Sequence, residues 1–223
     1  MANFTKTQVL KTLEESGMMP LFYHADLEVC KNVIRACYEG GVRIFEYTNR
    51  GEKAFQNFVE LVKFCEMNFP DLVLGIGTIY DVATAEKYVA AGTNFIVAPI
   101  MNPKVGAYCK KINMWWGPGV MTVTEMYNAK LAGTDFVKIF PGDVLTPAFV
   151  KAVKAPMPDM KIMATGGVSP TYESLESWFK AGVNAVGIGS QLTTKTAIET
   201  GDYASIRKTV KLCVESIKKI RSY

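Results

Sequence analysis

Residues 161–190, KIMATGGVSPTYESLESWFKAGVNAVGIGS, contain one complete strand–helix–strand unit. A short apolar run at 161–165 is followed by two glycines, a stretch of helical period at 172–181 and a second apolar run at 185–189. Two strands joined by a helix are typical of a parallel sheet, because parallel neighbours need a long crossover connection. The rest of the chain repeats this unit.

Eight apolar runs with strand character alternate with helical stretches along the whole sequence. We predict strands at residues 19–23, 42–48, 72–77, 94–98, 114–119, 135–140, 161–165 and 185–189. Eight such units in a chain of 223 residues predict an α/β fold, a closed (β/α)₈ TIM barrel. No linker divides residues 1–223, so we expect a single domain. The alternative is an open doubly wound sheet, which is less favoured because no GxGxxG motif follows the first strand.

Composition narrows the classes of function. The net charge is only +4 and the basic residues are scattered, so we expect no nucleic-acid partner. The five cysteines show no CxxC spacing, which is typical of reduced thiols. No apolar run approaches the roughly 20 residues that cross a bilayer, and no signal peptide is apparent, so we expect a cytoplasmic protein without a membrane partner. His24 is the only histidine, so we expect no zinc site and no metal.

A lysine lies within the apolar sixth strand. Lys138 shares one face of that strand with Phe136 and Phe140. Apolar surroundings lower the pKa of a lysine, and a neutral amine is a nucleophile that forms an imine with a ketone. The alternative is a lysine that only guards a strand or extends its amine to solvent.

The second strand carries three polar residues on one face. Glu46, Thr48 and Arg50 occupy alternate positions near its end. A carboxylate there is suited to proton transfer, and a guanidinium is suited to holding a substrate carboxylate. The alternative is a structural ion pair between Glu46 and Arg50 inside the barrel.

Glycines lie at the ends of three other strands. Gly75 and Gly77 precede Thr78 at the end of the third strand. Two glycines at 166–167 follow the seventh strand, and glycines at 187 and 189 end the eighth. Many barrels bind phosphate after these last two strands, where free backbone N–H groups meet the anion. We therefore predict an anion site there, the alternative being plain turns.

The motifs taken in order resemble one known family. They are Gly40-Gly41-Val42-Arg43 leading to Glu46-x-Thr48-x-Arg50, Gly75-Ile76-Gly77-Thr78, Ala98-Pro99, Pro118-Gly119 with Thr122 and Glu125, Phe136-Val137-Lys138-Ile139-Phe140-Pro141, Thr165-Gly166-Gly167-Val168-Ser169-Pro170 and Gly189-Ser190. This set is similar to the family of 2-keto-3-deoxy-6-phosphogluconate aldolase and 4-hydroxy-2-oxoglutarate aldolase, and the similarity covers nearly the whole chain. Gly142-Asp143 and Gln191 depart from the family pattern at the distal end of the pocket.

The resemblance implies a role for each matched residue. Lys138 would be the Schiff-base lysine and Glu46 the general acid and base. Arg50 and Thr78 would hold the substrate carboxylate, and Pro99 and Phe140 would form the pocket wall. The phosphate end would be formed by Thr165, Gly166, Gly167 and Ser190. The resemblance also implies a homotrimer, a small-molecule 2-keto acid substrate and no cofactor.

These expectations describe a metal-independent class I aldolase, a carbon–carbon lyase that releases pyruvate and an aldehyde such as glyceraldehyde 3-phosphate or glyoxylate. Two alternatives stay open at this point. A phosphosugar isomerase or epimerase on the same barrel would not need Lys138. A non-catalytic barrel would bind a phosphate or a keto acid without turnover.

Overall fold

A computed structural model describes residues 3–134 and 136–222. The strands of this part are β1 (Met18–Phe22), β2 (Ile44–Thr48), β3 (Val73–Gly77), β4 (Phe95–Val97), β5 (Trp115–Gly117), β6 (Gly119–Val120), β7 (Phe136–Ile139), β8 (Lys161–Thr165) and β9 (Ala185–Ile188). The helices are α1 (Lys6–Ser16), α2 (Leu27–Glu39), α3 (Ala54–Asn68), α4 (Val82–Ala90), α5 (Pro103–Lys111), α6 (Val123–Leu131), α7 (Gly142–Lys154), α8 (Tyr172–Ala181), α9 (Lys195–Thr200) and α10 (Tyr203–Arg221).

The strands form one parallel sheet in the order β5-β4-β3-β2-β1-β9-β8-β7-β6. Its two ends, β5 and β6, are consecutive in the chain, so the sheet curls into a nearly closed barrel. This arrangement confirms the predicted (β/α)₈ barrel and excludes an open doubly wound sheet. All nine strands belong to one sheet, and the extent of the domain over residues 1–223 stays a prediction.

The predicted fifth strand, residues 114–119, is wrong in one respect, because the structure divides it at Pro118. β5 pairs with β4, whereas β6 pairs with β7. Proline has no backbone N–H to donate, but its carbonyl accepts a hydrogen bond of 2.8 Å from the N–H of Lys138. Because of this break, residues 115–120 pair with β4 on one side and with β7 on the other.

Some predicted boundaries also differ. The helix predicted at residues 125–132 begins at Val123, because Thr122 and Glu125 form a capping box. The helix predicted near residues 147–153 is preceded by a turn from Gly142 and bends at Thr146, which has a φ of 47°. Asp135, the first residue of the predicted sixth strand, lies outside the described residues.

Two separate layers of apolar side chains stabilise the barrel. One fills the space between the strands and the outer helices. The other fills the barrel interior with residues that alternate along the strands, among them Met19, Ile44, Val73, Phe95, Trp115, Phe136, Met163 and Ala185. Helix α1 adds Val9 and Leu13 to this inner layer near the start of the strands. It therefore closes the amino-terminal end, and the carboxyl-terminal end stays open for a site.

No helix in residues 3–134 or 136–222 is long and apolar enough to cross a lipid bilayer.

Candidate active site

Lys138 points into the barrel from the middle of β7. Its neighbours along the inward face are Phe136, which is fully buried, and Phe140, whose ring centroid lies 5.4 Å from the Lys138 Nζ. Only 5% of Lys138 is exposed. Burial lowers the pKa of Lys138 because water no longer solvates the ammonium ion, and the charge of Arg50 lowers it further, whereas Glu46 raises it. The lysine is therefore biased towards the neutral, nucleophilic form.

Glu46 points into the barrel from β2 and faces this lysine. Its Oε1 lies 3.7 Å from the Lys138 Nζ, and the residue has no exposed surface. Neither carboxylate oxygen has a hydrogen-bond partner in the described part of the chain. A side chain at Gly77 would overlap the Glu46 carboxylate, so glycine on the neighbouring strand provides the space for it.

Three aromatic rings form a floor beneath this pair. The ring centroids of Phe95 and Trp115 are 5.4 Å apart, and those of Trp115 and Phe136 are 5.6 Å apart. All three side chains are fully buried. The floor keeps water away from the lower side of Lys138 and Glu46, which strengthens their electrostatic interaction.

A cavity of about 760 Å³ opens at the carboxyl-terminal ends of the strands. Its lining includes seven residues from the predicted site or strand face, namely Thr48, Arg50, Phe140, Thr165, Gly166, Gly167 and Ser190. The structure thus brings together residues from β2, β7, β8 and β9 that lie far apart in the sequence. This is the end of a barrel where active sites form.

Arg50 is exposed at the mouth of this cavity. Its guanidinium forms no salt bridge with Glu46 or any other carboxylate of residues 3–134 and 136–222. The alternative of a structural Glu46–Arg50 ion pair is therefore wrong, because Glu46 pairs with Lys138 instead. The planar guanidinium is available to an anionic ligand.

The distal end of the cavity is formed by a glycine turn and the serine after β9. Gly166 and Gly167 have φ angles of 88° and 64°, a region that favours glycine. Ser190 is exposed at the same end. Thr165 differs from them, because it is buried in the barrel, and a side chain at Gly187 would overlap its hydroxyl.

Four residues of the predicted site are not part of the cavity lining. Lys138 and Glu46 are buried in the barrel interior, and the other two follow strands β3 and β4. Thr78 is half-buried after β3 with a φ of 65°, and Pro99 is half-buried after β4, where its carbonyl packs against Gly119. His24 also lies outside the lining, and its Nδ1 accepts a hydrogen bond from the N–H of Asp26. His24 therefore has a structural role at the start of α2.

Asp143 is a lining residue to which the motifs assign no role. It packs against the turn at Gly166 and Gly167. It is the only acidic residue that lines the cavity in the described part of the chain. The signal for it was its position directly after Phe140-Pro141-Gly142, since residues just beyond a barrel strand face the site.

No group of three or more potential metal-ligating His, Cys, Asp or Glu side chains occurs in the described ranges, 3–134 and 136–222. The buried polar groups of the site are instead a lysine, a glutamate and two threonines. This set is suited to covalent and acid–base chemistry on a carbonyl compound.

Comparison with known proteins identifies the family. The profile described as "Aldolase: KDPG and KHG aldolase" matches residues 9–209, which is most of the chain. The chain belongs to this family. The abbreviations stand for 2-keto-3-deoxy-6-phosphogluconate and 4-hydroxy-2-oxoglutarate. The protein is thus a class I aldolase, a carbon–carbon lyase, and the isomerase and non-catalytic alternatives are not supported.

Named relatives of this aldolase agree with the assignment. A 2-dehydro-3-deoxy-phosphogluconate aldolase from Pseudoalteromonas atlantica is 30% identical over 90% of this chain and 91% of its own. A KHG/KDPG aldolase from Escherichia coli is 28% identical over 96% of this chain and 98% of its own. A solved structure is that of the Legionella pneumophila KDPG aldolase, with pyruvate captured as a covalent carbinolamine intermediate. It superimposes with a TM-score of 0.81 at 25% identity, covering 90% and 95% of the two chains.

Proposed function

We propose that Lys138 is the nucleophile of this aldolase and that Glu46 is its general acid and base. The observation that carries the proposal is the pair itself, 3.7 Å apart and almost completely buried above an aromatic floor. Burial lowers the pKa of Lys138, and a neutral amine is needed to attack a ketone. The carbinolamine captured in the Legionella enzyme is the adduct that an amine forms with pyruvate.

The reaction begins when the Glu46 carboxylate takes a proton from the Lys138 ammonium ion. The Nζ lone pair then attacks the C2 carbonyl of a 2-keto acid, and one N–H proton moves to the former carbonyl oxygen to give a neutral carbinolamine. The resulting carbinolamine loses its hydroxyl as water after protonation by Glu46, which leaves a protonated imine and a Glu46 carboxylate. This carboxylate removes the proton of the C4 hydroxyl, the C3–C4 bond breaks, and its electron pair moves into the imine to give an enamine. Glu46 returns the proton to C3, and water hydrolyses the imine to release pyruvate and regenerate the amine.

Arg50 and Thr78 are proposed to hold the substrate carboxylate, and Phe140 and Pro99 to form the wall of the pocket. Arg50 and Phe140 line the cavity, and the Arg50 guanidinium forms no salt bridge with a carboxylate of residues 3–134 and 136–222. Thr78 and Pro99 lie outside the cavity lining, and their proposed roles rest on the match to the family motifs. A fixed carboxylate holds the C2 carbonyl at attack distance from the lysine.

The substrate is proposed to be a 2-keto-3-deoxy-6-phospho sugar acid, cleaved to pyruvate and glyceraldehyde 3-phosphate. The phosphate would meet the Gly166–Gly167 turn and Ser190, with Thr165 between the phosphate and the lysine. The cavity of about 760 Å³ is large enough for a six-carbon phosphorylated acid. The second candidate substrate is 4-hydroxy-2-oxoglutarate, which would give glyoxylate, because some relatives are named for that compound.

Reduction with borohydride in the presence of pyruvate tests the lysine directly. Borohydride reduces the imine to a stable secondary amine, so peptide mass spectrometry should find the pyruvate-derived adduct on Lys138. Lys138→Met should give no adduct and no cleavage. An adduct on another lysine, or none in the active wild-type enzyme, would refute the assignment. Pyruvate release from phosphorylated and unphosphorylated 2-keto-4-hydroxy acids identifies the substrate.

The assembly is proposed to be a homotrimer in the cytoplasm. An exposed apolar stripe on α6 supports an interface between copies, because Val123, Tyr127 and Leu131 lie on one face at intervals of four residues. Light scattering after size-exclusion chromatography should give three times the chain mass of 24.6 kDa. A monomer at micromolar concentration would contradict the trimer.

A further inference from the structure

Thr48 carries a buried hydroxyl to which neither the fold nor the proposed reaction assigns a role. The residue is 1% exposed, and its Oγ1 has no hydrogen-bond partner in the described part of the chain. Burying a hydroxyl without a partner costs free energy, and valine has the same shape without a polar atom. A threonine at this position is therefore costly for folding alone, which indicates a partner outside the protein.

Thr48 lines the cavity at a defined level of the barrel. Thr48 lies on the inward face of β2, two residues beyond Glu46 and two residues before Arg50. Two residues of a parallel strand rise about 6.6 Å, so the Cα atom of Thr48 lies at a level between the Cα atoms of Glu46 and Arg50. Its cross-strand neighbour on β3 is Gly77, and the space that this glycine leaves is filled by the Glu46 carboxylate.

A 2-keto acid that reaches Lys138 from the mouth of the cavity must pass the level of Thr48. Its C2 atom meets the Lys138 Nζ, which lies 3.7 Å from the Glu46 carboxylate. Its C1 carboxylate is repelled by Glu46 and attracted by Arg50, so it extends towards the mouth along β2. A hydroxyl between the two charged groups is placed to donate a hydrogen bond to that carboxylate.

We propose that the Thr48 hydroxyl donates a hydrogen bond to the C1 carboxylate of the 2-keto acid and is a substrate-binding residue for the pyruvate half. This inference rests on the proposed function of Lys138, Glu46 and Arg50. The contact involves only atoms common to every 2-keto acid, so Thr48 contributes equally to all substrates and leaves the choice of aldehyde unchanged.

The test separates the two halves of the reaction by supplying pyruvate alone. The enzyme should exchange the C3 hydrogens of pyruvate with deuterium from solvent, which NMR measures without any aldehyde. Thr48→Val should lower kcat/KM for exchange roughly 10- to 100-fold, mainly through KM, because it removes one hydrogen bond to a charged group. Its kcat/KM for cleavage should fall by the same factor. Thr48→Ser, which keeps the hydroxyl, should retain most of the activity.

Thermal unfolding supplies a second readout. Thr48→Val removes a hydroxyl that has no hydrogen-bond partner among residues 3–134 and 136–222, so its Tm should equal or exceed that of the wild type. Thr93→Val is the matched control. Thr93, just before β4, is also fully buried, but its hydroxyl donates a 2.8 Å hydrogen bond to the Phe95 carbonyl. Thr93→Val should lower the Tm and leave pyruvate exchange unchanged.

Each outcome decides between the proposals. A wild-type enzyme that forms no Lys138 adduct would overturn the proposed function itself. If the adduct forms but Thr48→Val exchanges pyruvate normally, only the inference about Thr48 fails. It also fails if cleavage falls while exchange does not, because the hydroxyl would then act on the aldehyde half. Equal losses in Thr48→Ser and Thr48→Val would assign the effect to packing and overturn it too.

Discussion

Replacing Glu46 by glutamine separates the two roles that its position supports. The variant keeps the size of a side chain that has no exposed surface and removes its charge. At 3.7 Å from the Lys138 Nζ, that charge attracts the ammonium form by at most about 4.5 kcal/mol at an effective dielectric constant of 20. Glu46 raises the pKa of Lys138, so its neutralisation should lower that pKa further.

The variant should therefore change two measurements, the kcat of cleavage and the pH profile of borohydride trapping. Cleavage should fall by roughly 10²- to 10⁴-fold in kcat, the usual contribution of a general base. The neutral amine, in contrast, should persist to lower pH, because burial and Arg50 lower the pKa of Lys138 without opposition from Glu46. The acid limb of the pH profile for borohydride trapping of pyruvate should thus move to lower pH.

Peptide mass spectrometry after timed borohydride quenching measures the trapping rate at each pH, and pyruvate release measures cleavage. Glu60→Gln is a matched control, because it removes an exposed carboxylate that pairs with Lys63 on α3. Its profile should match that of the wild type. An acid limb that moves to higher pH in Glu46→Gln, or cleavage at the wild-type rate, would refute the reasoning about the pair.

Three other outcomes are expected from contacts in the site and from burial in the core. Gly77→Ala should lower kcat about 10²-fold with an unchanged circular dichroism spectrum, because its Cβ would displace the Glu46 carboxylate; a wild-type kcat would contradict this. Asp143→Asn should strengthen competitive inhibition by inorganic phosphate by up to about fivefold, since it removes a negative charge beside the Gly166–Gly167 turn; unchanged or weaker inhibition would place the phosphate elsewhere. The five buried cysteines should not react with a disulfide reagent at pH 8 until the chain unfolds, because burial raises the pKa of Cys30 to about 11 and that of Cys65 to about 12; a thiol that reacts in the folded protein would show that one of them is accessible.

Lys138 and Glu46, the proposed catalytic pair, were identifiable as candidates in the sequence, but their contact with each other was not. Each was conspicuous as a charged residue inside an apolar strand, and alternation placed Lys138 with Phe136 and Glu46 with Thr48. Nothing in these local patterns states that β2 and β7 face each other across a barrel. The choice between an ion pair of Glu46 with Arg50 and one with Lys138 therefore needed the tertiary structure.

The cavity lining shows the same division. The glycines at 166–167 could be predicted as a distal site because their turn follows a strand directly. The burial of Thr165 and the position of Asp143 against the glycine turn depend on how three strands and α7 pack, which the sequence pattern does not contain. Pro99 and Thr78 likewise follow their strands as predicted, yet both lie outside the lining.

The sequence alone determined the order of strands and helices and the polar residues on the inward faces, because hydrophobic periodicity and strand alternation are local properties. The tertiary structure alone decided that β5 and β6 close the barrel at Pro118, that Gly77 makes room for Glu46, and that the Thr48 hydroxyl has no partner among the described residues. The physical reason is that distance, burial and the absence of a partner depend on which distant segments pack together, and packing of distant segments leaves no periodic signature in one segment.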